Sequence, residues 1–463
     1  MRILPILLLL NLVGFCENAL ANISLPAIFT DNMVLQRETE VRVWGWAKSL
    51  EKVTLQASWS GETFETVADN YARWEIILPT PKAGGPYQIT LKGYNQITLS
   101  NILVGEVWLC SGQSNMEWPA ASGIDGKEEA IKNAEHPNIR FFTVQHRTAT
   151  VPQIDLASEG WEICSPETMT YFSAAAYFFG KKLQEELDVP IGLIHSSWGG
   201  TPAEAWTSAQ VIESDLLLAR AADLLPSEPW GPGHPGSIYN ARIASLTQFK
   251  IAGTIWYQGE RNTNNASTYK ETFSALINSW RAEWGYYFPF YFAQIAPFRG
   301  YGGEAGVIVR DAQRRTLELL ETGMVVTSDI GDTIDIHPRN KLDVGLRFAN
   351  LALKNHYKVS EKEASGPLFR TCQLEKDRVR VFFDHAEGLH VQGATCTDFE
   401  LAGPDGVFHP AGAKIEGGTV LVSAGNVFQP TALRFAWSNT ATPNLFNGAG
   451  LPTSCFSVKL EGN

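Results

Sequence analysis

The hydrophobic period of the chain changes twice, near residues 105 and 358, and this restricts the fold more than any other feature of the sequence. Over residues 22–104 apolar and polar positions alternate in runs at 41–47, 53–59, 74–78 and 87–91, with turn signals such as Ser60-Gly61 and Gly84-Gly85-Pro86 between them. A period of two places one face of each strand on a core, so this region is expected to form a small sandwich or jelly-roll-like β module. Over 105–357 short apolar runs (107–110, 191–195, 252–257, 290–295, 324–328) alternate with segments of helical length at 171–187, near 307–320 and near 340–357. A further such segment holds Tyr269, Phe273, Leu276, Ile277, Trp280 and Trp284, which fall on one helical face. Repeated strand, helix, strand predicts an α/β unit with a doubly wound, mostly parallel sheet. From residue 358 to 463 the period of two returns, at 378–383, 420–422 and 432–437, and a second β module is expected there.

The remaining composition narrows the class of protein. Residues 1–21 read as a secretory signal: Arg2, an apolar stretch over 3–15, and Ala19-Leu20-Ala21 before Asn22. No other stretch approaches the roughly 20 apolar residues that span a bilayer, so an exported protein without membrane insertion is expected. A formal net charge of −12 with no run of Lys or Arg argues against nucleic acid or an anionic membrane as partner. An anionic sugar could still bind through a local Arg. The 14 Trp, 24 Phe and 13 Tyr suit β-rich packing and sugar-stacking surfaces equally. Beyond the leader lie five cysteines, of which Cys372 and Cys396 flank a pair of strands and could bridge. C-x-x-C and H-E-x-x-H are both missing, and no metal or other cofactor is predicted. The Pro/Gly-rich stretch 226–236 reads as a plain surface loop, with an active-site lid as the alternative.

Chemistry-bearing residues collect at the ends of the α/β strands. The run 107–110 leads through Gly112 to Ser114, at the carboxyl end of a strand, where open α/β sheets bind ligands. Gly199 and Gly200 follow the next strand, Gln258 and Gly259 the third, and a polar turn over 331–338 the last. Acyl transfer needs a nucleophile, a base and donors for an oxyanion. Ser114 is the candidate nucleophile and His337 the candidate base, with Asp335 the nearest carboxylate to orient the imidazole. His195 reads as a packing residue at a strand end.

Four strings occur in order: Ser111-Gly-Gln-Ser-Asn-Met116, Ser197-Trp-Gly-Gly-Thr-Pro202, Trp256-Tyr-Gln-Gly-Glu260 with Asn262, and Asp335-Ile-His-Pro338. Together they resemble the sialate O-acetylesterase family of the SGNH-hydrolase superfamily. The likeness extends to Asn32-Met-Val-Leu-Gln36 and Gly84-Gly-Pro86 in the first β region, and to Asn444-Leu-Phe-Asn447 and Gly450-Leu-Pro452 in the last. The resemblance implies an SGNH-like catalytic unit in which Ser114 attacks an acetyl carbonyl and His337 takes its proton. It implies oxyanion donors at the Ser114 N–H, at the N–H of Gly199 or Gly200, and at the side-chain amide of Gln258 or Asn262, with Gln258 preferred for its place at the strand end. Trp198, Glu260 and Arg310 are expected at the substrate, with Arg261 and Gln313 lining or bracing the site.

Two departures stand out. The superfamily places its acid three residues before the histidine, but position 334 is Ile, so Asp335 competes with a dyad helped by a backbone carbonyl or by Asp332. In addition, Gly259-Glu-Arg-Asn262 replaces the usual Gly-x-Asn-Asp. The implied activity is cofactor-free removal of O-acetyl groups from sialic acids outside the cytoplasm. An acetylxylan or other polysaccharide O-acetylesterase is the alternative, and a carbohydrate-binding protein on a degenerate esterase fold a more distant one.

Overall fold

A computed structural model describes residues 22–227 and 231–460, so the expected leader and residues 228–230 of the Pro/Gly-rich loop lie outside the described residues. Seven strands form the central part of the main sheet: β1 (Gln96–Gly112), β2 (His136–Thr143), β3 (Trp161–Cys164), β4 (Ile191–Ser197), β5 (Gly253–Tyr257), β6 (Phe290–Ala293) and β7 (Thr322–Val325). Their spatial order is β7-β6-β5-β1-β4-β2-β3. Every neighbouring pair is parallel except β2 with β3, which makes the sheet mixed at one edge. From β1 the chain moves out to β2, returns to β4, and then crosses β1 to build β5, β6 and β7. The order therefore reverses beside β1, and Ser114 follows directly from its carboxyl end.

Both faces of this sheet are covered, which is why its strands read as continuous apolar runs rather than as alternating ones. Trp108 and Cys110 of β1 share a buried cluster with α2 (Ala174–Leu187) and α5 (Lys341–Leu351). Val107 and Leu109, pointing the other way, belong to a cluster with α3 (Tyr269–Trp284) and α4 (Ala305–Thr316). All six apolar residues expected on one face of α3 are buried. Each such Leu, Ile or Phe contributes about 1.5–3 kcal/mol relative to exposure. Helix α2 begins at Ala174, later than expected, because Phe172 is extended and the Ser173 hydroxyl accepts the Ala176 N–H as a cap.

The first β region is not separated from this core by a linker. Strand β1 is 17 residues long. Its first part pairs with Gly84–Lys92 and Val34–Gln36, its second with β4 and β5, so residue 104 lies inside one strand. A second layer, Glu40–Trp46 paired with Arg73–Pro79, adds Val41, Val43, Trp74 and Ile76 to the same buried cluster as Val53, Leu55, Ile89 and Leu91.

The carboxyl-terminal region carries two four-stranded antiparallel sheets around a third cluster, with Val379, Val381, Val420 and Val422 from one and Phe399, Leu433, Phe435 and Phe456 from the other. All five described cysteines are free thiols, so the Cys372–Cys396 bridge that the sequence allowed is not formed. Cys372 lies on one edge strand, whereas Cys396 bridges to Ala413 on the opposite edge strand of the same sheet. Three strand spacings, roughly 14 Å, separate those edges, about twice the reach of a disulfide. Among the described residues no helix is long and apolar enough to cross a membrane.

Candidate active site

Gly112 ends β1 with φ +137°, and a Cβ there would stand 2.2 Å from the Tyr257 carbonyl oxygen, so only glycine fits this turn. The short helix α1 (Ser114–Glu117) follows at once. Its entry is fastened on two sides. The Gln113 N–H donates to the Tyr257 carbonyl at 2.9 Å, and Gln113 Oε1 accepts from the N–H groups of Gly259 (3.3 Å) and Arg261 (3.2 Å). Ser111 Oγ donates to the Ser196 carbonyl at 2.6 Å, which ties β1 to β4 and commits that hydroxyl to the framework.

Ser114 Oγ instead meets His337 Nε2 at 2.9 Å. The imidazole stacks on Trp118, 4.4 Å between ring centres and 20° between planes. Burial pulls the His337 pKa below its ordinary value; the Lys341 ammonium pulls it in the same direction, and Asp335 opposes both. A neutral imidazole in contact with a hydroxyl is the arrangement that proton transfer requires. Asp335 is less well placed, with Oδ1 3.8 Å from His337 Nδ1 and 58% of its side chain exposed. That oxygen accepts the backbone N–H of His337 at 2.9 Å, and Asp332 accepts those of Ile334 and Asp335, so both acids shape the turn itself.

Ser114 and His337 open onto a cleft of about 380 Å³ whose lining also includes Gln113, Gly199, Gly200, Glu260, Arg261, Asn264 and Ile336. Gly199 donates its N–H to Glu117 Oε2 at 2.6 Å, and Gly200 follows in left-handed backbone with φ +71°. Burial would raise the Glu117 pKa, but the His146 contact at 2.8 Å and the Gly199 N–H outweigh it and hold it below the ordinary carboxylate value.

Beneath the cleft, Asn115 Nδ2 donates to Glu260 Oε1 (2.6 Å) and to the Ile336 carbonyl (3.0 Å), while Asn115 Oδ1 accepts from Lys341 Nζ (2.6 Å). Burial raises the Glu260 pKa and lowers that of Lys341 to about 7.

Besides Asp335, five residues expected at or around the site lie outside the cleft lining. Gln258 is fully buried: Nε2 donates to the Thr201 carbonyl and Asn262 Oδ1, and Oε1 accepts from Tyr269 at 2.8 Å. Asn262 is equally buried, with Nδ2 donating to Glu204 and Asn265 and Oδ1 accepting the Ala203 N–H. Both amides therefore brace loops. Trp198 stacks on His146 at 4.3 Å, and Arg310 is buried with its guanidinium on the Ser438 carbonyl of the carboxyl-terminal region. Gln313 braces the floor by donating to the Gln258 and Ala293 carbonyls. Beside the cleft, the Pro226 carbonyl accepts from Arg261. Among the described residues no group of three or more His, Cys, Asp or Glu could hold a metal ion.

Asn115, Glu117, Trp118, Asn264 and Lys341 were not singled out from the sequence. The available signal was proximity: three of them follow Ser114 within four residues, and Lys341 follows His337 by four.

Comparison with known proteins leads to carbohydrate acetylesterases from three directions. The family model for carbohydrate esterase, sialic acid-specific acetylesterase, matches residues 104–354. Sialate O-acetylesterases of Homo sapiens and Pongo abelii are each 28% identical to the chain over 410 residues, covering 80% of it and 78% of the relative. A crystal structure of a carbohydrate acetylesterase from Xanthomonas citri superposes with a TM-score of 0.86 and 36% identity, covering 94% of this chain and 99% of that one. The chain is an esterase and belongs to the sialic acid-specific acetylesterase family of carbohydrate esterases.

Proposed function

We propose that the protein removes O-acetyl groups from sialic acids through an acetyl-serine intermediate, on an SGNH-type site, outside the cytoplasm. The observation that carries the mechanism is the 2.9 Å contact between Ser114 Oγ and His337 Nε2 at the cleft floor. Ser114 Oγ attacks the acetyl carbonyl as its proton passes to His337 Nε2. The tetrahedral intermediate collapses when that proton moves to the sugar oxygen, breaking the carbon–oxygen bond and leaving acetyl-Ser114. Water then attacks the acetyl group, His337 again takes and returns the proton, and acetate leaves with Ser114 restored.

We assign the oxyanion to two backbone donors. The Ser114 N–H lies in the first turn of α1, where helical N–H groups have no partner within the helix. Gly200 supplies the second, since the Gly199 N–H is engaged by Glu117. Gln258 and Asn262 are passed over because their amide hydrogens are already donated inside the protein.

The family match supports a sialic acid as the sugar, and Arg261, which also donates to the Pro226 carbonyl, lines the cleft. A second reading, an acetylated polysaccharide as substrate, is compatible with the Xanthomonas citri structure at 36% identity, which is described as a carbohydrate acetylesterase with no particular sugar named. Parallel assays on O-acetylated sialic acid and acetylated xylan separate the two. For either substrate, Ser114→Ala lowers acetate release by about 10³-fold or more with an unchanged melting temperature. A Ser114→Ala protein that keeps near wild-type turnover refutes the serine mechanism. Export is proposed from residues 1–21, and the fate of that segment in the mature chain tests it.

A further inference from the structure

We propose that Asn115 is a positioning residue that fastens the histidine-bearing turn to the nucleophile helix, with Glu260 and Lys341 fixing its amide from opposite sides. This rests on the reading of Ser114 and His337 as the reacting pair. Asn115 is completely buried, and both N–H groups and the oxygen of its amide are engaged: one N–H by Glu260 Oε1, the other by the Ile336 carbonyl, and the oxygen by Lys341 Nζ. A flipped amide would set its oxygen against a carboxylate and a carbonyl and its NH₂ against an ammonium, so a single orientation survives.

The Ile336 carbonyl belongs to the peptide unit that leads into His337, so this bond sets where the imidazole stands relative to Ser114. A misplacement of about 1 Å at a reacting group costs on the order of 10²-fold in rate. Asp335 holds the same peptide unit from within the turn by accepting the His337 N–H, but it is largely exposed and 3.8 Å from Nδ1, so the bond that ties this unit to the buried framework is the one from Asn115. Glu260 and Lys341 are themselves nearly fully buried, which is expensive for charged groups unless they are paired. The Asn115 amide lies between the two and bonds to both.

The arrangement also has an electrostatic signature. The charged groups facing His337 are Lys341 from α5 and Asp335 from its own turn, and Glu260 faces Lys341 from the loop after β5. Removing the Lys341 charge removes one of the influences that keep His337 neutral in mild acid. The acid limb of kcat/KM should then move to higher pH.

The test uses a chromogenic acetyl ester and four variants. Asn115→Asp sets a carboxylate against Glu260 and the Ile336 carbonyl, and kcat should fall by about 10²-fold with KM changed less than about threefold. N115D/E260Q gives the new carboxylate an amide partner and keeps Lys341, yet offers no hydrogen to the Ile336 carbonyl. It should regain the melting temperature without regaining kcat. Lys341→Met should shift the acid limb upward. A folded N115D/E260Q protein with wild-type kcat overturns the proposal, as does a Lys341→Met protein with an unmoved acid limb. Should N115D/E260Q not fold, the split between kcat and KM in Asn115→Asp decides, and a near wild-type kcat there overturns the proposal. Ser114→Ala is the control: if it retains turnover, the serine mechanism has failed, whereas an inactive Ser114→Ala beside a wild-type N115D/E260Q sinks only the role of Asn115.

Discussion

The two turns that carry the reacting pair are built in opposite ways. The nucleophile turn is enclosed: Ser111, Gln113, Asn115 and Met116 are all buried, and it is bonded through the Ser111 hydroxyl to β4 on one side and through the Gln113 side-chain oxygen to the loop after β5 on the other. The histidine turn stands in solvent, with Asp332, Ile334, Asp335 and Arg339 exposed. It is shaped from within by Asp332 and Asp335. Three contacts orient its catalytic end, and all come from one segment: Ser114 to His337, Asn115 to the Ile336 carbonyl, and Trp118 against the imidazole. Five consecutive residues thus supply the nucleophile and the seat of its base. The rigid turn positions the loose one.

The largest effect separates chemistry from framework. His337→Ala should reduce kcat/KM by about 10³–10⁴-fold, because the serine loses its base, while the melting temperature stays near wild type since the side chain is only partly buried, 27% exposed. An initial-rate assay with a thermal melt checks both. Gly112→Ala should act the other way round. It requires a side chain at φ +137° and 2.2 Å from the Tyr257 oxygen, which should cost about 2–3 kcal/mol or more of stability, read from denaturant unfolding. A Gly112→Ala protein as stable as wild type would mean that the nucleophile turn is not the rigid partner.

This asymmetry also explains what could be read from the sequence. The enclosed turn was legible, because burial on both faces makes β1 a continuous apolar run and the close approach to Tyr257 demands Gly112. The six apolar positions of α3 were legible for a similar reason, a single face at helical spacing. Which way a side chain points after a strand ends was not legible. Gln258 follows β5 directly, yet its amide turns into the core to meet Tyr269 and Asn262, whereas Glu260, two residues on, lines the cleft. A glycine with φ +149° at position 259 separates them and breaks the alternation on which such a reading depends. Lys341 was invisible for a different reason: a lysine in the first turn of a helix normally reaches solvent, and only tertiary packing shows it 1% exposed and bonded to Asn115.

Trp118→Leu should weaken the seat without removing the base. An aromatic stack of this kind contributes about 0.5–1.5 kcal/mol beyond its buried area, so kcat should fall by roughly threefold to tenfold while KM stays close to wild type. Steady-state kinetics resolves that split, and a change confined to KM would assign Trp118 to sugar binding instead.

The smallest effect is expected at Asp335, where a fully formed triad would give one of the largest. Loss of a carboxylate properly bonded to the histidine costs about 10⁴-fold in kcat. Here the carboxylate is 3.8 Å from Nδ1 and its oxygen is bonded to the His337 backbone N–H, so Asp335→Asn should lower kcat less than about tenfold. The pH dependence gives the sign. The catalytic base must be neutral, and His337 has a folded-state pKa below its ordinary value, so activity persists into mild acid and is lost as pH falls through that lowered value. Asp335 is the one influence named on His337 that opposes this, and its removal should shift the acid limb to slightly lower pH, opposite in direction to Lys341→Met. Because Asp335 is exposed, the shift should shrink as salt is added, whereas that of buried Lys341 should not. A loss of 10³-fold or more in Asp335→Asn would instead require the carboxylate to swing onto Nδ1 when substrate binds, and the histidine turn would then be loose only in the free enzyme.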